Sequence, residues 1–214
     1  MEKPDLSGAY ALNGPDDCRR LYADWAGSYD ADFAATMAYR LPCEVAATYA
    51  RERTAAMAEG DILDVGAGTG LLAAALRGLG IGATIDAVDL STAMLAQAGR
   101  KGLYRALIEA DVTRPLPIAT RYAGIVSSGT FTHGHVGPEA LDRLLGVARP
   151  GALMVLSVNR AIWDAKGFDA AFAALSGRIT DLAMDPVAIY GADARTADPA
   201  HAEDTALIVR FRVA

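Results

Sequence analysis

Residues 61–72 read Asp61-Ile62-Leu63-Asp64-Val65-Gly66-Ala67-Gly68-Thr69-Gly70-Leu71-Leu72, and the change of character inside this stretch decides the fold. Ile62 to Val65 is a short apolar run ending in glycines, the pattern of a buried strand. Leu71 to Arg77 reads as a helix that opens directly from the glycine loop. Such a turn sets bare backbone and free N–H donors against whatever binds there. The glycines fall at 66, 68 and 70, whereas the G-x-G-x-x-G dinucleotide fingerprint would place its third glycine on Leu71. Asp64, at the mouth of the loop, suits an ammonium group better than a pyrophosphate. Standing alone, the loop is weak evidence, with a plain strand-to-helix turn as the alternative, so its neighbours decide.

Outward from the loop, β-like and helical stretches alternate. Thr84 to Val88 reads as a strand, and Ser91 caps a helix through Met94, Leu95 and Ala98. Arg105 to Ala110 and Tyr122 to Val126 are further strands, Glu139 to Ala148 a helix, Pro150-Gly151 a turn, and Ala152 to Val158 a fifth strand. A helix over Asp164 to Leu175 precedes two more β-like runs, Asp181 to Tyr190 and Ala206 to Val213, separated by a polar loop from Gly191 to Asp204. Upstream, Asp16-Asp17 can cap a helix through Leu21, Tyr22 and Trp25, and a second helix follows Pro42. This alternation implies βαβ units and a doubly wound, mostly parallel α/β sheet. The last two runs lack a helix between them and read as an antiparallel pair at one edge. Ligands in such sheets bind at the carboxyl ends of the strands.

Those strand ends carry acids and small residues. Asp89 ends the second strand and can accept from both hydroxyls of a ribose; a helix cap is the alternative, but Ser91 fills it better. Asp111, after the third strand, can accept from an adenine amino group, with Val112 and Met94 against the ring faces. Ser127-Ser128-Gly129-Thr130-Phe131 follows the fourth strand, where small side chains leave room for a second ligand. His133 and His135 come next, and either is a candidate general base near neutral pH. No third ligand accompanies the histidine pair, and Cys18 and Cys43 stand apart from any metal spacing, so no metal site is expected.

The ordered set Ile62–Gly70, Asp86-Ala87-Val88-Asp89-Leu90-Ser91-Thr92-Ala93-Met94-Leu95 and Glu109-Ala110-Asp111-Val112 resembles the class I S-adenosylmethionine (SAM)-dependent methyltransferases. Arg149-Pro150-Gly151-Ala152-Leu153 looks like their turn before strand five. The resemblance spans roughly residues 20–214, and Gly102-Leu103-Tyr104 with Thr132 to Pro138 looks closest to the Williams–Beuren syndrome region methyltransferase-like branch. It implies a Rossmann-like seven-stranded sheet of order 3-2-1-4-5-7-6 with strand seven antiparallel. It also implies that Asp64, Gly66, Ala67, Gly68 and Gly70 hold the methionine part of SAM. Asp89 and Leu90 would hold the ribose, and Met94, Asp111 and Val112 the adenine. Ser127 and Ser128 would lie beside the methyl. Tyr22-Ala23-Asp24-Trp25-Ala26-Gly27-Ser28-Tyr29-Asp30 looks like the aromatic segment that closes over the cofactor. Tyr29 and Trp25 could face the sulfonium, or simply pack on the sheet, since their spacing suits one helix face.

Composition narrows the activity. The chain has 214 residues, 52% of them apolar, and a formal net charge of −6. One domain is expected over 1–214, with a helical lid over 1–58 and a Rossmann-like core over 59–214. Nothing supplies the basic field of a nucleic-acid binder. No apolar run approaches the roughly 20 residues that span a bilayer, and Met1-Glu2-Lys3-Pro4-Asp5 holds no apolar signal core, so a cytoplasmic chain is expected, as monomer or homodimer. The expected activity is methyl transfer from SAM to a small-molecule O, N or S acceptor, releasing S-adenosylhomocysteine. The rivals are a non-catalytic SAM-binding partner protein and an NAD(P)-dependent oxidoreductase.

Overall fold

The computed structural model describes residues 14–54 and 60–214; residues 1–5, read above for a signal core, and parts of the 1–58 segment lie outside them. Seven strands make one sheet: β1 (Ile62–Val65), β2 (Ile85–Asp89), β3 (Ala106–Glu109), β4 (Tyr122–Phe131), β5 (Ala148–Asn159), β6 (Ile179–Ala188) and β7 (Thr205–Val213). Their order is β3-β2-β1-β4-β5-β7-β6. The first five run parallel, and β7 runs antiparallel to both β5 and β6, as the resemblance implied.

Helices cover both faces, as parallel strands require. On one face α1 (Pro15–Trp25) leads through a π-helical turn (Tyr29–Ala34) to α2 (Leu41–Glu52), and α3 (Leu71–Gly78) follows β1. Val45 and Tyr49 of α2 and Leu72 and Leu76 of α3 pack there with Ile62, Ile85, Val126 and Val155 of the sheet. The other face buries Leu63, Val65, Ile125, Met154 and Leu156 under α5 (Ala140–Leu145), α6 (Arg160–Trp163) and α7 (Phe168–Ala174). Every second residue of β1 thus faces the opposite layer. Helices leave β1 and β4 toward opposite faces, so the crevice of a doubly wound sheet opens between these two neighbours. α4 (Thr92–Arg100) links β2 to β3, and α8 (Ala194–Ala197) links β6 to β7. Among the described residues, no helix is long and apolar enough to cross a membrane.

Several element bounds differ from those read off the sequence, each for a local reason. β4 continues past Val126 to Phe131 because Gly129, at φ 77°, absorbs a register shift against β5; the Ser-Ser-Gly-Thr run is strand, not loop. β5 starts at Ala148, and the expected Pro150-Gly151 turn is an irregularity inside it, with Gly151 at φ 77°. The helix expected over 139–148 is therefore only Ala140–Leu145. The helix expected over 164–175 breaks at Gly167, at φ 70°. Asp16 and Asp17 do not cap α1: Gly14 is its N-cap, Pro15 starts the helix, and the two acids sit in the first turn, where they oppose the helix dipole favourably and pair with Arg19 and Arg20. The polar stretch 191–204 holds α8.

Candidate functional site

The glycine loop after β1 is left-handed at three places: Gly66, Gly68 and Gly70 have φ of 64°, 54° and 90°. A Cβ on Gly66 would lie 2.0 Å from Thr130 Oγ1, whereas a Cβ on Gly68 would meet nothing within 4 Å. The first glycine is thus demanded by packing against β4, and the second keeps a cavity open. The loop is pinned to β2: Gly66 and Ala67 donate their N–H groups to the Val88 carbonyl at 2.8 and 3.2 Å. Gly68 N–H donates to Asp89 Oδ2 at 2.8 Å, and Ser91 N–H donates to Asp89 Oδ1 at 2.8 Å. The Asp89 carboxylate therefore joins two strand-end loops, and each oxygen keeps a further lone pair. Burial pushes its pKa above the ordinary carboxylate range, against the pull of these N–H bonds. Ser91 caps α4, accepting from Met94 N–H at 3.3 Å.

These residues border a cavity of about 510 Å³. Of the residues expected at the site, Tyr29, Gly66, Ala67, Gly68, Asp89, Leu90, Met94, Asp111, Val112, Ser128 and His135 line it. Asp111 holds the turn that follows it, accepting from Thr113 N–H and Oγ1 at 2.9 and 2.7 Å.

Asp64, Gly70, Ser127, Trp25 and His133 stand outside that wall. Asp64 is only 1% exposed, beneath the loop. Its Oδ2 accepts from the Tyr104 hydroxyl at 2.7 Å, its Oδ1 is buried without a hydrogen-bond partner among the described residues, and burial raises its pKa to about 7. Gly70 makes room for the same Tyr104 ring, 3.1 Å from where its Cβ would be. Ser127 and Thr130 both donate to the Val65 carbonyl, at 2.8 and 3.0 Å, fastening β4 to the end of β1.

A smaller hollow of about 50 Å³ adjoins the cavity, and Tyr22, Tyr29, Tyr39, Gly129 and His135 border both. Trp25, Phe33, Phe131 and Tyr190 complete its aromatic wall. The rings touch in series: Tyr22 meets His135 edge-on at 5.4 Å, and Trp25 stacks on Phe33 at 6.2 Å. Burial pushes the Tyr22, Tyr29 and Tyr39 phenols well above their ordinary pKa and lowers His135 to about 4, so all four are neutral at pH 7. Burial also raises the Cys18 thiol of the outer wall to about 11. His133, which lines neither hollow, is likewise lowered by burial. Among the described residues no group of three His, Cys, Asp or Glu could hold a metal.

Sequence reasoning missed Tyr39 and Tyr190. They lie 151 positions apart, after the π-turn and after β6, yet their centroids are 6.1 Å apart. It also missed Asp30, which binds the N-terminal segment to the core: Thr69 Oγ1 donates to Asp30 Oδ1 at 2.5 Å and Lys101 Nζ to Oδ2 at 2.7 Å.

Residues 62–151 match a family model described as a methyltransferase domain. Human methyltransferase-like protein 27 is 35% identical over 149 residues, which cover 68% of this chain and 60% of that protein; the chain thus spans about 60% of the length of the curated relative it matches. In structure it is similar to the DhpI-SAH complex, with a TM-score of 0.60, 21% identity and coverage of 93% and 96% of the two chains. It is also similar to the CurJ carbon methyltransferase, with a TM-score of 0.61, 15% identity and coverage of 94% and 61%. With the strand order, the left-handed glycine loop and the acids at the ends of β2 and β3 in place, the chain has the class I SAM-dependent methyltransferase fold, and its residues 62–151 belong to the methyltransferase domain family.

Proposed function

We propose that the chain transfers a methyl group from SAM, the cofactor of its family, to a small-molecule O, N or S acceptor. The observation that carries this reading is the pair of adjoining hollows. The larger is bordered by Gly66, Gly68, Asp89, Met94, Asp111 and Val112, and the smaller by aromatic rings and His135. Three features in and beneath the larger hollow fit the cofactor. Gly68 leaves its floor bare, Asp89 retains lone pairs for ribose hydroxyls, and the unpartnered Asp64 Oδ1 beneath the loop favours a nearby ammonium.

When bound, SAM supplies a methyl already activated on a sulfonium, so the protein's task is alignment and exclusion of water. Asp89 fixes the glycine loop against β2 and orients the ribose. Gly129 lets the acceptor side approach β4, because a Cβ there would lie 2.3 Å from the Tyr39 hydroxyl. Tyr22, Tyr29 and Trp25 screen the transfer point from water. His135, of the two expected histidines, is the one bordering both hollows, and we assign it to the acceptor's proton.

Calorimetric titration of the purified protein with S-adenosylhomocysteine tests the reading. Binding is expected, weakened at least tenfold in Asp89→Ala, which loses the ribose partner and the tie between two loops. Absence of binding to the native protein would sink it.

A further inference from the structure

The smaller hollow says something about the acceptor's charge. Among the described residues, none of those that line it is Asp, Glu, Lys or Arg. The carboxylates on the cavity wall, Asp89, Asp111 and Glu139, border only the larger hollow. Lys166 donates to the His135 carbonyl at 3.1 Å and lines neither. Two of its acceptors are already engaged: Ser157 Oγ accepts from Gly129 N–H at 2.9 Å, and Asn159 Oδ1 accepts from Ala161 N–H at 2.9 Å; what its hydroxyls still offer is neutral donors, not charge. An ion carried into this space would lose its water and meet no countercharge, which is costly. Part of the aromatic wall is closed to a cation as well. Trp25 is stacked on Phe33, and Tyr29 lies 5.1 Å from the same ring, so these faces are turned on one another.

One polar atom here is buried and without a hydrogen-bond partner among the described residues: His135 Nε2. A buried nitrogen left in that state is costly, and a ligand that reaches it recovers the loss. Burial keeps the ring neutral at pH 7, so with its proton on Nδ1 it presents an acceptor at Nε2.

We propose that the acceptor enters the small hollow uncharged and donates a hydrogen bond to His135 Nε2: an alcohol, phenol, thiol or free-base amine, and not a carboxylate, a phosphate or an ammonium ion. This rests on the methyltransferase reading above.

The test is calorimetry on native protein saturated with S-adenosylhomocysteine, titrated at pH 7.5 with four probes of one shape: benzyl alcohol, toluene, benzoate and benzylammonium. Benzyl alcohol is expected to bind at least tenfold more tightly than either ion, and His135→Phe to erase its advantage over toluene. If His135→Phe does not fold, the comparison on the native protein decides. Benzyl alcohol binding no better than an ion, or not at all, overturns the proposal, as does an unchanged alcohol preference in His135→Phe. If S-adenosylhomocysteine itself does not bind, the methyltransferase reading falls and this proposal with it; if it binds and an ion is preferred, only this proposal falls.

Discussion

At the scale of single residues, Asp64 is a carboxyl group buried at a cost. It lies beneath the loop with one oxygen on Tyr104 and the other unpartnered. Burial lifts its pKa from 3.8 to about 7, so the folded protein binds a proton between these values that the unfolded chain has released. By linkage, the stability contributed by protonated Asp64 is full below pH 4 and is lost as pH rises to 7. The difference is on the order of a few kcal/mol. Asp64→Asn keeps an oxygen for Tyr104 and removes the titration. Its ligand-free melting temperature is therefore expected to exceed the native one at pH 8, with a flatter dependence between pH 5 and 8. Its affinity for S-adenosylhomocysteine is expected to fall about tenfold, because the proposed partner of the ammonium loses its charge. An unchanged pH profile in thermal melts would show that Asp64 is ionised in the free protein.

The glycines separate packing from binding at the same scale. Gly66→Ala drives a Cβ to 2.0 Å from Thr130 Oγ1 at a φ of 64°, and is expected to cost more than about 2 kcal/mol in denaturant unfolding. Gly68→Ala meets only strain, about 1 kcal/mol, but projects into the cavity. It is expected to stay folded and lose cofactor affinity. Equal destabilisation by both would mean that the loop, not its contacts, sets the cost.

Among elements, the N-terminal segment is joined to the core by both polar and apolar contacts. Asp30 of the π-turn reaches Thr69 in the glycine loop and Lys101 beyond α4, while Trp25 and Ala26 pack on Met94 of α4. The Lys101 and Asp30 side chains are 27% and 41% exposed, so their ion pair adds at most about 1 kcal/mol and weakens with salt. Lys101→Met is expected to speed release of S-adenosylhomocysteine up to about fivefold, with most of the effect gone at 1 M salt, followed by stopped-flow tryptophan fluorescence. A release rate indifferent to both Lys101→Met and salt would assign the closure to Trp25 and Met94 alone.

Element scale is also where the sequence was readable. β1, β2 and β3 announce themselves through short apolar runs with an acid or glycine at their ends, and strand order ties those ends together, so the cofactor wall could be read locally. β4 could not be delimited in this way. Its Ser127–Thr130 run has loop composition, but its hydroxyls and N–H groups find partners at Val65 and Ser157. The inner hollow was opaque for a different reason. Tyr22, Tyr39, His135 and Tyr190 share no periodicity, and only the folded sheet brings them together.

For the whole molecule, the question is whether the N-terminal segment and the sheet respond to ligand as one body. The large hollow takes wall from both: Tyr22 and Tyr29 from the segment, Gly66, Gly68 and Asp89 from the sheet. A ligand that touches both stabilises both by mass action, about 2.7 kcal/mol at a concentration of 100 Kd. At 2–4 °C per kcal/mol for a chain of this size, saturating S-adenosylhomocysteine is expected to raise the melting temperature by roughly 5–10 °C in one transition. Hydrogen exchange gives the spatial part. Amides of the loop and of α4's first turn are expected to slow, and those of residues 18–34 to slow with them, because their packing on Met94 and Thr69 is held from the same cavity. Protection limited to the loop and α4, with residues 18–34 exchanging as in the free protein, would mean that the segment does not close over the cofactor. The aromatic hollow would then belong to a state that the cofactor alone does not select, and ordering it would fall to the acceptor, whose own contacts with Tyr22 and His135 would have to supply that free energy.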